Sequence, residues 1–371
     1  MNPRSDPMSS QIDVCVSEKE SDPDWDAFVA SVPYGHHVQT SLWSQVKVAL
    51  GYRAKRIIVC RDGRTVAGGQ VLVRQITPFV TIGYMPKGPV FSSWDPTLGE
   101  ILLSELKRIV QINHFFLLAV QPANEVSELK LLLINRGFRS SWLELAPTAT
   151  ILLDLTPELD QILALMKRQT RQNIRRSERE GMTVRKGTEA DLPAFYELHL
   201  VTSQRQKFKP YPEKYFAQMW RIFSTQGLIS LILAEYHGAP VSALLLVSFA
   251  DTVIAKTMGW SGQYAEHRPN DAVFWASIQW AKSNGYHCFD FEGIDREGAE
   301  LMAIGQPLPE ELQHTPDFIK LGYGGKVALM PQSYYFVPNP LFRWPYNKIF
   351  GLKERRPAIY EQLDRFRRRF G

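Results

Sequence analysis

The sequence predicts a mixed α/β (α+β) protein built from two copies of one unit, each a mixed central sheet flanked by helices. Three observations carry this. The chain has 371 residues and a 44% apolar fraction, more than one hydrophobic core usually organises. The second half repeats the first at an offset of about 175 residues. Within each copy the apolar period switches from two to three-and-four residues and back, as strands and helices alternate.

The repeat begins with a hairpin. AKRIIVCRDGRTVAGGQVLV runs from Ala54 to Val73, and ISLILAEYHGAPVSALLLV runs from Ile229 to Val247 on the same plan. Gly63 corresponds to Gly238 and Val66 to Val241. A further strand follows in each copy (Phe79 to Tyr84; Thr252 to Met258), then a helix (96 to 113; 270 to 284), then a buried strand (Phe115 to Pro122; His287 to Ile294). Each copy closes with a short helix ending in glycine and an aromatic, LLINRGF to Phe138 and FIKLGYGG around Tyr323, before another strand. The apolar run Leu228 to Ala250 is interrupted by Glu235, His237, Gly238 and Pro240, so it reads as two buried strands and a turn rather than a membrane span.

Hairpin, strand, helix, strand, helix, strand is the order of the GNAT acyltransferase fold. The sequence therefore predicts two tandem GNAT-like domains, 1–148 and 149–337, with a basic and aromatic C-terminal extension over 338–371. GNAT enzymes hold the pyrophosphate of acetyl-CoA on a glycine-rich turn and the next helix N-terminus. The equivalent positions read SSWDPTLGE (Ser92 to Glu100) and EHRPNDAV (Glu266 to Val273), where proline removes a donor and the glycines are absent. No CoA cofactor is expected.

Cys15, Cys60 and Cys288 lie far apart and form no metal-ligand spacing, so they read as free thiols in a reducing compartment, and no metal is expected. The first twenty residues mix charges with small polar residues and lack the apolar core of a signal peptide, so a cytoplasmic location is expected. The formal charge of +5 is modest, but it is unevenly placed. Residues 167 to 186 carry Lys167, Arg168, Arg171, Arg175, Arg176, Arg179, Arg185 and Lys186 against only Glu178 and Glu180. On a helix from Lys167 to Arg179, Lys167, Arg171, Arg175 and Arg179 form an i, i+4 row suited to an RNA backbone, although a solvated face has the same pattern.

Several segments resemble the FemABX aminoacyltransferases, the peptidoglycan bridge-forming, lipid II:glycine glycyltransferase-like family, in its compact form without a coiled-coil arm. They are PYGHHVQTSLWSQVK (Pro33 to Lys47), GYMPKGPV (Gly83 to Val90), MKRQTRQNIRRSEREGMTV (Met166 to Val184), QWAKSNGYHCFDFEGI and FIKLGYGG. The resemblance covers the chain from about Trp25 to Tyr335. It implies transfer of an amino acid from aminoacyl-tRNA, the co-substrate, to the stem peptide of a UDP-linked or lipid-linked muramyl-pentapeptide precursor. Both substrates are polyanionic, which accounts for the basic surface.

Carried over by position, the resemblance implies that Lys47 and Tyr215 bind the precursor. Tyr211 stands where compact members have a phosphate-binding arginine, with Lys207 or Lys209 beside it to supply charge. Gln121 replaces an aspartate near the acceptor amine, and Phe116 replaces a tyrosine. Lys320 matches the lysine of the acyl-transfer centre, preceded by Ile319 where the family has a phenylalanine that packs on the tRNA end. Lys167, Arg168, Arg171, Arg175 and Arg179 are then the tRNA contacts, and Asp290 is a candidate carboxylate for the amine proton.

The alternatives left open are a GNAT-type acyltransferase acting on another envelope glycan or protein amine, and a non-catalytic RNA- or membrane-binding module. After Val337, Leu341, Phe342, Trp344, Tyr346, Ile349, Phe350 and Leu352 are interleaved with basic residues. These read either as a peripheral contact with the cytoplasmic membrane face or as aromatics docked on the second domain.

Overall fold

The computed structural model describes residues 11–124, 126–141, 146–313 and 315–344. It divides into two compact units. One is formed by the chain up to Ala146 with the segment from Pro331, the other by Pro147–Met330.

In chain order the first unit contributes β1 (Ile12–Ser17), α1 (Pro23–Ser31), α2 (Ser41–Val48), β2 (Arg53–Arg61), β3 (Arg64–Thr77), β4 (Val80–Met85), β5 (Val90–Phe91), α3 (Pro96–Ile112), β6 (Phe115–Val120), α4 (Ser127–Asn135) and β7 (Arg139–Ser141). The second contributes β8 (Ala149–Asp154), α5 (Leu159–Leu165), α6 (Arg168–Arg179), β9 (Thr183–Lys186), α7 (Leu192–Gln206), α8 (Glu213–Ser224), β10 (Ile229–Tyr236), β11 (Ala239–Phe249), β12 (Thr252–Trp260), α9 (Pro269–Ser283), β13 (Cys288–Asp290), α10 (Arg296–Ala303), α11 (Glu310–Gln313), α12 (Pro316–Ile319) and β14 (Lys326–Leu329). β15 (Ser333–Phe336) then returns to the first unit.

The duplication extends to backbone detail. Asp62 and Gly63 close the β2–β3 hairpin with φ of 51° and 76°; His237 and Gly238 close β10–β11 with 51° and 78°. Two successive positive φ angles are what a type I′ two-residue hairpin turn requires. Both hairpins also slip register at a bulge, between Val59 and Cys60 and, 175 residues later, between Ala234 and Glu235.

The sheets share one order. The first runs β1-β2-β3-β4-β6-β15-β7 and the second β9-β10-β11-β12-β13-β8-β14, with β4–β6 and β12–β13 as the parallel pairs. The position between β6 and β7 is filled by β15, from the end of the chain, and the matching position between β13 and β14 by β8, which follows β7. The two copies thus exchange their last strands. This corrects the expected second domain of 149–337: Tyr334 to Phe336 bond to Leu118 to Val120 of β6, so the segment belongs to the first sheet. Sequence proximity favours the wrong assignment because the backbone groups of a strand carry no local mark of which sheet edge they will pair with.

α3 shows how pattern becomes packing. Asp95 caps it, Pro96 opens it, and Leu98, Leu102, Leu106 and Ile109 fall on one buried stripe against β2, β3 and β6. Truncating one of these, such as Leu102, costs about 2–5 kcal/mol. A second cluster, which includes Ile151, Ile174, Leu244, Ile278, Phe289, Phe291 and Tyr323, forms the core of the second unit.

One further expectation changes. Cys15 lies opposite Ile58 and Cys60 opposite Asp13, so the two thiols are diagonal neighbours on one face of β1–β2 rather than far apart. Within the first unit, Phe342 of the C-terminal extension packs against Phe116, ring centroids 5.4 Å apart. Leu341 and Trp344 are exposed, while Tyr346, Ile349, Phe350, Leu352 and the basic tail lie outside the described residues. Among the described residues no helix is long and apolar enough to cross a membrane, and no cluster of residues could hold a metal ion.

Candidate functional site

In the second unit β13 ends at Asp290, shorter than its apolar run suggests. The Asp290 carboxylate stops the strand: its Oδ1 accepts from the Glu292 N–H at 2.8 Å and from the Thr150 hydroxyl of β8. Glu292 and Gly293 then turn left-handed, with φ of 39° and 71°. That conformation costs roughly 1–2 kcal/mol at a side-chain-bearing residue, so such a residue is held there only by its surroundings.

The turn aims two carbonyl oxygens at Lys320, whose Nζ donates to Gly293 O at 2.8 Å and Glu292 O at 3.2 Å. Lys320 opens the 3-10 turn Lys320–Tyr323 after α12. Phe318 is buried and Ile319 is 53% exposed, so consecutive residues face opposite ways. Burial pulls the Lys320 ammonium below the usual lysine range, partly opposed by Asp317, Glu292 and Asp290. A lysine satisfying its own helix dipole would bond its own last carbonyls; Lys320 instead bonds a different loop.

The Glu292 carboxylate, missed in the sequence, is mostly buried and ion-paired with Lys256 of β12. Burial raises its pKa, and Lys256 offsets part of the shift. Asp290, the carboxylate chosen from the sequence, is occupied in holding the Glu292 backbone and the β8 hydroxyl. The available signal was the D-x-E spacing at a strand end, but nothing local links Glu292 to a lysine 36 positions earlier.

The basic helix is α6, with Lys167 as its N-cap residue rather than inside it. Thr170, Ile174 and Ser177 form its buried face. Arg168, Arg175 and Arg179 are exposed, but Arg171 turns back and donates from Nη1 to Ala164 O at 3.0 Å and to Met166 O, capping α5. Arg176 pairs with Glu180. The expected four-residue row therefore reduces to Arg175 and Arg179 on the helix, with Lys167 and Arg168 at its start.

Between α7 and α8, Tyr211 stacks on the buried Tyr215 with ring centroids 4.4 Å apart, and Lys209 is exposed beside them. In the first unit Lys47 is buried, its Nζ 5.1 Å from the Trp43 ring and 5.8 Å from the Tyr52 ring, so it is not the solvated helix-end lysine of the plain reading. α2 is positioned by the fully buried Arg56, which donates to Gln70 Oε1 at 2.8 Å and Ser44 Oγ at 2.7 Å. Phe116 is half-buried under Phe342.

Gln121 departs from expectation. It is fully buried; its Nε2 donates to Ala146 O at 3.2 Å and Pro331 O at 3.4 Å, and its Oε1 accepts from Ala146 N at 3.0 Å. It pins the two points where the chain leaves and re-enters the first unit. An amide suits this because one side chain both donates and accepts.

The positions equivalent to a pyrophosphate loop hold internal carboxylates. At the start of α3, Asp95 Oδ1 accepts from Thr97 N at 2.8 Å and Oδ2 pairs with Arg61 at 2.6 Å, which draws its pKa down. In the first turn of α9, Asp271 is half-buried and accepts from the Tyr323 hydroxyl at 3.0 Å. Burial raises its pKa against the hydrogen bonds from Tyr323 and from Asn173 of α6. Each helix dipole already has its anion.

Residues 20–131 match the FemAB family model, and residues 166–299 match an acetyltransferase (GNAT) domain model. The crystal structure of FemX superposes with a TM-score of 0.74 at 19% identity, covering 87% of this chain and 97% of that one. The first half of the chain thus resembles the FemAB family, and its fold that of FemX. A lipid II:glycine glycyltransferase of Staphylococcus haemolyticus is 27% identical over 228 residues, 58% of this chain and 54% of that protein. The chain thus spans about half the length of the curated FemABX relatives it matches. A tandem GNAT protein from the clavulanic acid biosynthesis pathway shares the fold, with a TM-score of 0.55 at 10% identity over 89% of this chain and 99% of that one.

Proposed function

We propose that this FemABX-like protein transfers an aminoacyl group from aminoacyl-tRNA to an amine on the stem peptide of a peptidoglycan precursor. The observation that carries the reading is Lys320: a desolvated ammonium fixed by two carbonyls of a strained turn, on the motif that marks the family's transfer centre. The curated relatives, named lipid II:glycine glycyltransferases, support the substrate class.

The amine nitrogen attacks the ester carbonyl, a C–N bond forms, and the C–O bond to the ribose breaks. An ester is already activated, so positioning and charge stabilisation supply most of the rate. Two of the three Lys320 donors are engaged by Glu292 O and Gly293 O, which leaves one to steady the developing oxyanion. Arg168, Arg175 and Arg179 supply charge for an RNA backbone, with Lys167 at the helix start and Ile319 as an exposed apolar contact for the tRNA end. Lys47, Lys209, Tyr211, Tyr215 and Phe116 remain the candidates for the precursor, and Gln121 leaves that set. CoA does not enter this reading, because Asp95 and Asp271 would place negative charge where a GNAT enzyme binds a pyrophosphate. A lipid-linked acceptor would place the reaction at the cytoplasmic membrane face, and a UDP-linked one would not require it.

The test is to incubate the purified protein with a mixture of charged tRNAs and either UDP-linked or lipid-linked muramyl pentapeptide, then read the mass added to the stem peptide. An added aminoacyl mass that requires intact charged tRNA supports the reading. No added mass with either precursor overturns it.

A further inference from the structure

The transfer releases one proton from the attacking nitrogen, and the structure offers a specific acceptor for it. We propose that Glu292, held against Lys256, takes this proton and returns it to the departing ribose oxygen; this rests on the functional reading above.

Three carboxylates lie near the Lys320 ammonium: Asp290, Glu292 and Asp317. Asp317 Oδ2 accepts from the Asp295 N–H at 3.0 Å, and Asp290 Oδ1 is engaged by Thr150 and the Glu292 N–H. Both therefore hold backbone in place. Among the described residues, the Glu292 carboxylate is hydrogen-bonded to a side-chain cation, Lys256, while its main-chain carbonyl holds Lys320. The same residue thus ties the oxyanion-facing ammonium and a carboxylate to one left-handed turn, and moving either moves both. This explains why a glutamate occupies a backbone conformation that glycine or asparagine would adopt more readily.

The charged groups facing Glu292 are Lys256 from β12, Asp290 at the end of β13 and Lys320 from the 3-10 turn. Burial raises its pKa, which makes the carboxylate a stronger base than a solvated one. In the step, nitrogen loses a proton to a Glu292 oxygen, the C–O bond breaks, and the ribose oxygen gains that proton. Glu292 returns to its carboxylate, Lys256 keeps its charge, and no further reactant is needed.

The sign follows from the raised pKa: the base is lost as pH falls through it, so Glu292 sets the acid limb of the rate profile. Glu292→Gln, Glu292→Asp and Lys256→Met should be compared with the full-length wild type for transfer rate against pH at saturating charged tRNA and precursor. Glu292→Gln should lower the rate about a hundredfold and abolish the acid limb. Glu292→Asp should restore part of the rate and keep the limb, which a purely structural role would not predict. Lys256→Met should move the limb to higher pH, because the cation favouring the carboxylate is gone; this arm also serves if Glu292→Gln fails to fold. An active wild type with an unchanged limb in Glu292→Gln, or an unmoved limb in Lys256→Met, overturns the inference while leaving aminoacyl transfer intact. An inactive wild type overturns both.

Discussion

The Tyr323 hydroxyl donates to Asp271 Oδ1 at 3.0 Å, and this one bond ties the turn that carries Lys320 to the first turn of α9. Tyr323 is buried and Asp271 half-buried, and Asn173 of α6 also bonds the carboxylate. Tyr323→Phe should lower stability by about 1–3 kcal/mol, the effect of stripping a donor from a buried polar group. Because the folded pKa of Asp271 is raised, its charged form opposes folding, and stability falls as pH rises through the window above 3.8. Removing a donor to the charged form widens that window. Denaturant titrations should therefore show a larger loss at pH 7 than at pH 4.

With Asp95 and Asp271 at the two helix starts, millimolar acetyl-CoA should leave the melting temperature unchanged and yield no acylated product. A clear upward shift accompanied by turnover would favour a CoA-dependent acyltransferase.

The arginines of α6 should separate by task. Replacing Arg175 and Arg179 by Gln should weaken tRNA binding and flatten its log–log salt dependence by somewhat under one unit per lost phosphate contact, with stability unchanged. Arg171→Gln should instead cost about 1.5–3 kcal/mol, since it removes charge-assisted bonds to the α5 carbonyls. Equal effects from all three positions would mean the helix acts as one solvated face.

Lys320→Met should reduce the transfer rate roughly a hundredfold or more. It should also cost about 1–3 kcal/mol, because the Glu292 and Gly293 carbonyls lose their donor. Circular dichroism and turnover measured on one preparation separate the two. Near-wild-type turnover would remove Lys320 from the mechanism.

A fragment ending at residue 148 should not form a stable monomer. It lacks β15, leaving β6 and β7 with unpaired edges where Tyr334 and Tyr335 bond in the whole chain. Size-exclusion chromatography should show aggregation, and adding a peptide spanning Pro331–Val337 should reduce it.

The sequence by itself determined the duplicated hairpins, the helix that follows each and the family they resemble. These signals are local: a two-residue turn needs positive φ at Gly63 and Gly238, and an apolar stripe needs only the spacing of Leu98, Leu102, Leu106 and Ile109. It also marked Lys320, through a short motif. Only the tertiary structure decided what the polar side chains do. Gln121 reads as a substrate contact until it is seen bonding Pro331, 210 residues away, and Arg171 reads as part of a row until it folds back on α5. Glu292 gains meaning from Lys256, and β8 and β15 are assigned only by the sheets they join. A backbone strand bonds any compatible edge and a charge any opposite charge within reach, so the partner is set by where the chain returns in space, which residue spacing does not encode.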